Sequence, residues 1–206
     1  MVSLTSWLGA MDRQAPGPAP GFGRPHALLT FMTIGESRSI GRHALAVKTG
    51  LGEGSIRTIL KRLKQGKYII VDGGGCYLTK AGKLLYDSLS QRITSPIPLE
   101  NSPLVVGPSQ VAILVSAAGS SIRTGLEQRD SSILAGAEGA TTYVIKAGKF
   151  TIPGGSNDCE KDFPGPTWSF LRDELEPKNG DAVILCGARD EKMAKLGALS
   201  AALGLL

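Results

Sequence analysis

The chain has 206 residues, of which 42% are hydrophobic and 5% aromatic, enough for one large domain or two small ones. No apolar run approaches the roughly 18 residues that a membrane-spanning helix needs. Residues 1–92 carry 13 Lys/Arg against 5 Asp/Glu and residues 93–206 carry 10 against 13, so the net charge of +5 divides into a basic half and a mildly acidic half, which predicts a polyanionic partner for the first half alone.

Met1 to Met11 has no cationic segment ahead of an apolar one and no clear cleavage site, so a secretory signal is not expected and the cytoplasm is the expected location. Ala15 to Gly23, APGPAPGFG, has too much Pro and Gly for a helix or strand interior. Residues 1–23 are therefore expected as a loosely ordered arm, with Phe22 as its anchor.

Regular structure is expected from Pro25 onward. His26 to Ile34 reads as a short buried helix, Ser37 to Ile40 as a brief strand and Gly41 to Thr49 as a second helix. Gly50 to Gly54, GLGEG, reads as a turn where positive φ is easy. In the third helix Ile56, Ile59, Leu60 and Leu63 fall at i, i+3, i+4 and i+7, a single apolar stripe. Ser55, Arg57, Thr58, Lys61, Arg62 and Lys64 fall outside it. Hydroxyls and guanidinium suit base edges, and cations suit phosphates. The helix is expected to end near Gly66 as its C′ residue. Tyr68–Val71 and Cys76–Leu78 flank a tight turn and read as a hairpin. Thr79 then caps a helix through Leu84, Leu85, Tyr86 and Leu89.

Both GRHALAVKTGLGEGSIRTILKRLKQGKYI and YIIVDGGGCYLTKAGKLL resemble the winged helix-turn-helix of bacterial and archaeal regulators, the second through its wing and LTxxG helix start. The resemblance covers residues 24–93 and implies double-stranded DNA as partner. Arg57 is the candidate for reading guanine. Lys48, Arg62, Lys64 and the wing at Gly73 and Gly74 are candidates for phosphate, Ser55, Thr58 and Lys61 complete the recognition face, and Arg42 is a further DNA-binding candidate. A homodimer would set two such helices about 34 Å apart on a near-palindrome.

Thr94 to Gln110 holds four prolines and reads as a linker or an extended crossing strand. Residues 111–206 then alternate. Val111–Ser116 and Asp181–Cys186 are buried-strand runs. Glu127–Ala135 and Thr167–Leu175 suit helices. Ala140–Lys146 and Lys149–Ile152 flank a turn at Ala147-Gly148. Asp190–Leu206 is a terminal helix rich in Ala and Leu. The order predicts an α+β chain whose second domain is an α/β sandwich of ferredoxin-like βαββαβ order with an extra terminal helix. An open α/β sheet is the other arrangement considered.

Polar residues cluster at Gly125–Asp130, GLEQRD, with Arg123 upstream and Thr141 and Thr142 downstream. Arg123 and Arg129 could hold a carboxylate or phosphate, Glu127 and Asp130 an amine or ribose hydroxyl, with Gln128 beside them. Arg189 follows Cys186-Gly187, where glycine would let a ligand approach the backbone. The competing reading is a cluster of caps and salt bridges. AAGSSIRTG lacks the lysine and spacing of an NTPase phosphate loop. Gly154–Pro166 is long and polar, either a lid or a flexible excursion.

The cysteines, Cys76, Cys159 and Cys186, are odd in number and widely spaced, which favours reduced thiols over a disulfide or zinc framework. His26 and His43 both lie in the first half, so Cys186 has no histidine base within the second, and a buried core thiol is the expectation. No complete catalytic set, cofactor motif or metal site is recognised.

APGPAPGFG, GLGEGSIRTIL, GLEQRDSSILAGAEGATT and the terminal helix together resemble an archaeal family of uncharacterised winged-helix regulators. That resemblance implies a transcription factor with a C-terminal effector-binding or dimerising domain. The alternative is an enzyme acting on a phosphorylated or nucleotide metabolite through Glu127, Arg129 and Asp130, with a DNA-binding domain attached.

Overall fold

The computed structural model describes Trp7, Gly9, residues 21–100 and residues 102–206. Ala15 to Pro20 of the expected arm lie outside the described residues. The fold is α+β, in two compact units, Met1–Ser90 and Gln91–Leu206.

The first unit is built around helix α1 (Arg24–Gly35). Every residue from Ala27 to Ile34 is buried, so its apolar surface runs all round, as in a central core helix. Its two buried threonines remain satisfied by donating back along the helix, Thr30 to the His26 carbonyl and Thr33 to the Leu29 carbonyl, both at 2.8 Å. Helices α2 (Arg42–Thr49) and α3 (Glu53–Gln65) pack against it, followed by strands β1 (Ile69–Asp72) and β2 (Gly75–Leu78) and helix α4 (Lys80–Ser90). Trp7 is buried on Phe31, ring centroids 5.2 Å apart.

Several local expectations change. The strand expected at Ser37–Ile40 shrinks to one bridge, Ile40 to Cys76. In the turn before α3 only Gly50 is left-handed, with φ 72°, and Gly54 already lies inside the helix. Gly66 is not the left-handed residue after α3. Its φ is −72°, and Lys67 takes φ 61° instead. Glycine is required at 66 because a β-carbon there would overlap the Tyr68 ring. Thr79 does cap α4, accepting from the Gly82 amide at 3.0 Å. Leu84 of that helix is 65% exposed, while Leu85 and Leu89 are buried.

The second unit is a five-stranded sheet in the order β3-β4-β7-β5-β6, antiparallel at every pairing. The strands are β3 (Ile97–Leu99), β4 (Ser109–Val115), β5 (Gly139–Lys146), β6 (Lys149–Thr151) and β7 (Ala182–Ala188). Strands β4 and β5 are parallel to each other, joined through α5 (Leu126–Leu134), with β7 inserted between them. This is a split βαβ. Residues 94–110 are not a free linker. Within them β3 forms the sheet edge, and the buried Gln110 side chain organises 102–107. Its carbonyl accepts from the Ser102 amide at 2.8 Å, while its NH2 faces the carbonyls of Ser102, Val105 and Gly107.

Helices cover both faces of the sheet, which explains why β4 and β7 read as unbroken apolar runs. One face carries Ala112, Leu114, Tyr143, Ile145, Val183 and Leu185 under Cys159 of α6 (Cys159–Asp162) and Trp168, Leu171 and Leu175 of α7 (Thr167–Leu175). The other face packs on α5 and α8 (Glu191–Leu203). The turn Ala147-Gly148 has φ 49° and 75°, the left-handed pair that a two-residue hairpin needs.

Candidate nucleic-acid interface

Helix α3 spends its apolar stripe on the core: Ile56, Ile59, Leu60 and Leu63 are buried. At 100° per residue, Arg57, Lys61 and Lys64 share one outer face. Together with Arg42 from the start of α2 they line a groove of about 350 Å³ that is closed on the far side by Val71 and Asp72 of β1. Four cations thus face one carboxylate across an open groove. Lys48 is exposed in the last turn of α2, away from these lining residues.

The remaining predicted contacts sit elsewhere. The Thr58 hydroxyl donates to the Gly54 carbonyl at 3.1 Å and lies about 100° round the helix from Arg57. Arg62 is further round, with its guanidinium over the Phe22 ring, 5.2 Å from the centroid. Ser55, on that same side, sits beside Gly21. The hairpin tip is also not open to phosphate at both glycines. The Gly74 amide donates to Asp72 Oδ1 at 2.8 Å, and the Tyr77 hydroxyl donates to Oδ2 at 2.8 Å. These bonds hold the Asp72 carboxyl below its ordinary pKa, so the tip carries a fixed negative charge that the sequence pattern did not signal.

The candidate ligand residues of the second unit are not brought to one cavity. Adjacent residues in a strand point to opposite faces. Thr141 accordingly donates to the Leu104 carbonyl at 2.8 Å, while Thr142 stands on the α5 face against Gly125. Arg123 and Glu127 are exposed, Gln128 is buried, and Arg129 pairs with Asp130 at 2.9 Å on the outside of α5. Arg189 follows β7 at the opposite end of the sheet from Arg123, the full length of a strand away, and approaches Asp190 at 3.5 Å. Thr142 carries the one unusual feature: its hydroxyl is buried and has no hydrogen-bond partner.

Gly187, expected to admit a ligand, is occupied by the chain itself: the Val106 carbonyl fills the space over it. The Gly119 amide of the AAGSSIRTG segment donates to the Gly180 carbonyl at 2.8 Å. Gly154–Pro166 is tied down by Lys149 to Asp158 at 2.6 Å, Arg172 to Glu160 at 2.8 Å and Trp168 Nε1 donating to the Phe163 carbonyl at 2.7 Å, which leaves it neither a free lid nor a loose excursion. Cys186 is fully buried and its thiol is pushed up to about 12 by that burial, so it is no nucleophile at neutral pH.

The class this architecture defines is an α+β protein with a basic helical first unit and a sheet-centred second unit. Residues 106–205 match a family described as a domain of unknown function, DUF4443. Among solved structures, the chain is similar to the hypothetical protein PH0730 from Pyrococcus horikoshii OT3, with a TM-score of 0.70 and 24% identity over 88% of this chain and 91% of that one. At this identity the likeness speaks for the fold. No curated protein matches. No helix among the described residues is long and apolar enough to cross a membrane.

Proposed function

We propose that the protein is a DNA-binding transcriptional regulator whose first unit acts as a winged helix-turn-helix. The observation that carries the proposal is the groove beside α3, where Arg42, Arg57, Lys61 and Lys64 converge on one face. The basic balance of residues 1–92 supports the same partner. Recognition of a base edge falls to Arg57, and the other three cations meet phosphates. The test is selection of duplexes from a random library followed by fluorescence anisotropy across salt concentrations. A defined motif, bound with a log K against log salt slope of about −3 for three phosphate contacts, supports the proposal. Failure to enrich any motif sinks it.

Dimerisation is the second element of the proposal. The small residues of α8 are unavailable for it, because Gly197 and Ala198 are already packed within their own unit, Gly197 against Ala137 and Cys186. On α5, Leu126, Ile133 and Leu134 are exposed around the Arg129–Asp130 pair. Two copies packed antiparallel on this helix can exchange those charges, so the surface is complementary to itself. Effector sensing, the third element, belongs to the second unit near Gly125, where Thr142 leaves a buried hydroxyl unpaired.

A further inference from the structure

The β1–β2 hairpin has a second concave side. The end of α1, strand β2 and the start of α4 enclose a cleft of about 540 Å³, separate from the groove beside α3. Arg38, Lys80 and Lys83 line it, and Asp87 is the only lining carboxylate among the described residues. None of these three cations takes part in a salt bridge among the described residues.

The walls are fixed. The Tyr86 ring lies against the Cα of Gly35, where a β-carbon would overlap it, and meets Phe31 edge-on at 6.5 Å between centroids. Tyr77 is anchored through its hydroxyl to Asp72. Ser37 and Thr79 spend their hydroxyl protons on main-chain carbonyls, Thr33 at 2.8 Å and Lys67 at 2.7 Å. Recognition of a charged ligand therefore falls to the three cations. Ser39 also donates to the Gly74 carbonyl at 2.6 Å, which ties the residue after Arg38 to the hairpin tip.

We propose that this cleft is a phosphate site, in which Arg38, Lys80 and Lys83 hold the phosphoryl group of a nucleoside phosphate against an aromatic wall. Guanidinium offers a forked pair of donors to phosphate, and the two ammonium groups add point charge. The volume exceeds that of inorganic phosphate and lies within the range of small-molecule sites, so the group arrives attached to something with a flat or apolar face. A free nucleotide and a phosphodiester of DNA share this chemistry. The site rests on cleft, charge and ring geometry, and it stands or falls independently of Arg57 and the α3 groove.

The test uses the full chain, ¹⁵N-labelled, titrated with AMP and separately with a 30-base-pair duplex. The variants are Lys80→Glu/Lys83→Glu and, as control, Arg57→Ala, each checked for an unchanged amide spectrum away from the substitution. AMP shifting the amides of Arg38, Lys80 and Lys83, with loss of that response in the charge-reversed variant but not in Arg57→Ala, supports the site with a free nucleotide as ligand. A tenfold or greater loss of duplex affinity in the charge-reversed variant, its salt slope falling by about 2, supports it with the DNA backbone as ligand. Identical responses of wild-type and charge-reversed protein to both probes overturn it. An AMP response without any duplex binding would sink the DNA reading and leave the cleft intact.

Discussion

The Tyr68 carbonyl lies so close over the Cα of Gly82 that a β-carbon has no room between them. The same carbonyl accepts from the Thr79 amide at 2.9 Å, and the Thr79 hydroxyl, which donates mainly to the Lys67 carbonyl, lies 3.2 Å from it, so the start of α4 is fastened to the residue just before β1. Gly82→Ala must therefore push the helix off the hairpin. Overpacking of this kind costs about 1–3 kcal/mol. Urea denaturation should show the loss in the transition of the first unit, and an unchanged midpoint would disprove the contact.

Under the proposed function, Arg57 serves recognition, while Arg62 packs on Phe22 from the same helix. Arg57→Ala should cost about 1–3 kcal/mol in binding to a selected duplex and relax preference at one base position. Arg62→Ala should leave that preference unchanged and instead lower stability by about 1 kcal/mol, through the lost stacking on Phe22. Anisotropy and thermal melting on the two variants check both halves. If Arg62→Ala changes the preferred sequence, the division is mistaken.

Thr142→Val removes a buried hydroxyl without a partner while keeping its shape. The expected outcome is a gain of about 1 kcal/mol, since an unpaired buried polar group is a penalty rather than an asset. A loss of stability would mean that the hydroxyl is bonded in solution.

His26 accepts a hydrogen bond from the Gly23 amide through Nδ1 at 3.2 Å, and its burial lowers its pKa below 6.5. The sign follows from proton counting. At pH below 6.5 the unfolded chain binds a proton that the folded one resists, so the stabilising contribution is complete above that pH and lost as pH falls through the folded pKa. Melting temperature should decline from pH 7.5 to 5.5, and His26→Gln, which keeps an acceptor, should flatten the decline. Parallel profiles for the two proteins would exclude His26 as the cause.

Leu134 is 89% exposed on α5. If two copies meet there, Leu134→Glu should give a monomer by light scattering, with its melting curve extrapolated to the same limit at high dilution. A dimer that survives the substitution would move the interface away from α5.

Much of this architecture was legible in the chain because its periodicities are local. The stripe Ile56–Leu63 and the runs of β4 and β7 announce burial, and Ala147-Gly148 announces a turn. What escaped depends on contacts distant in sequence. Gln110 gathers four main-chain groups between Ser102 and Gly107, and nothing in a proline-rich segment marks it as an organiser. Gly187 suggested an opening, yet Val106 fills it from some eighty residues upstream. For the candidate sites, helical spacing puts six residues outside the apolar stripe, and only Arg57, Lys61 and Lys64 of them line the groove, while Ser55, Thr58 and Arg62 lie round the helix. Adjacency groups Thr141 and Thr142, although a strand separates neighbours. The cleft at Arg38, Lys80 and Lys83 joins three elements, and no single window of sequence contains it.

The three buried thiols fall in three different layers: Cys76 on strand β2 of the hairpin, Cys159 with α7 on one face of the sheet, and Cys186 beside Gly197 on the other. Each becomes reactive only when its own layer opens. The chain therefore carries an intrinsic set of opening reporters, and the order in which a thiol reagent captures them would give the order in which its layers come apart.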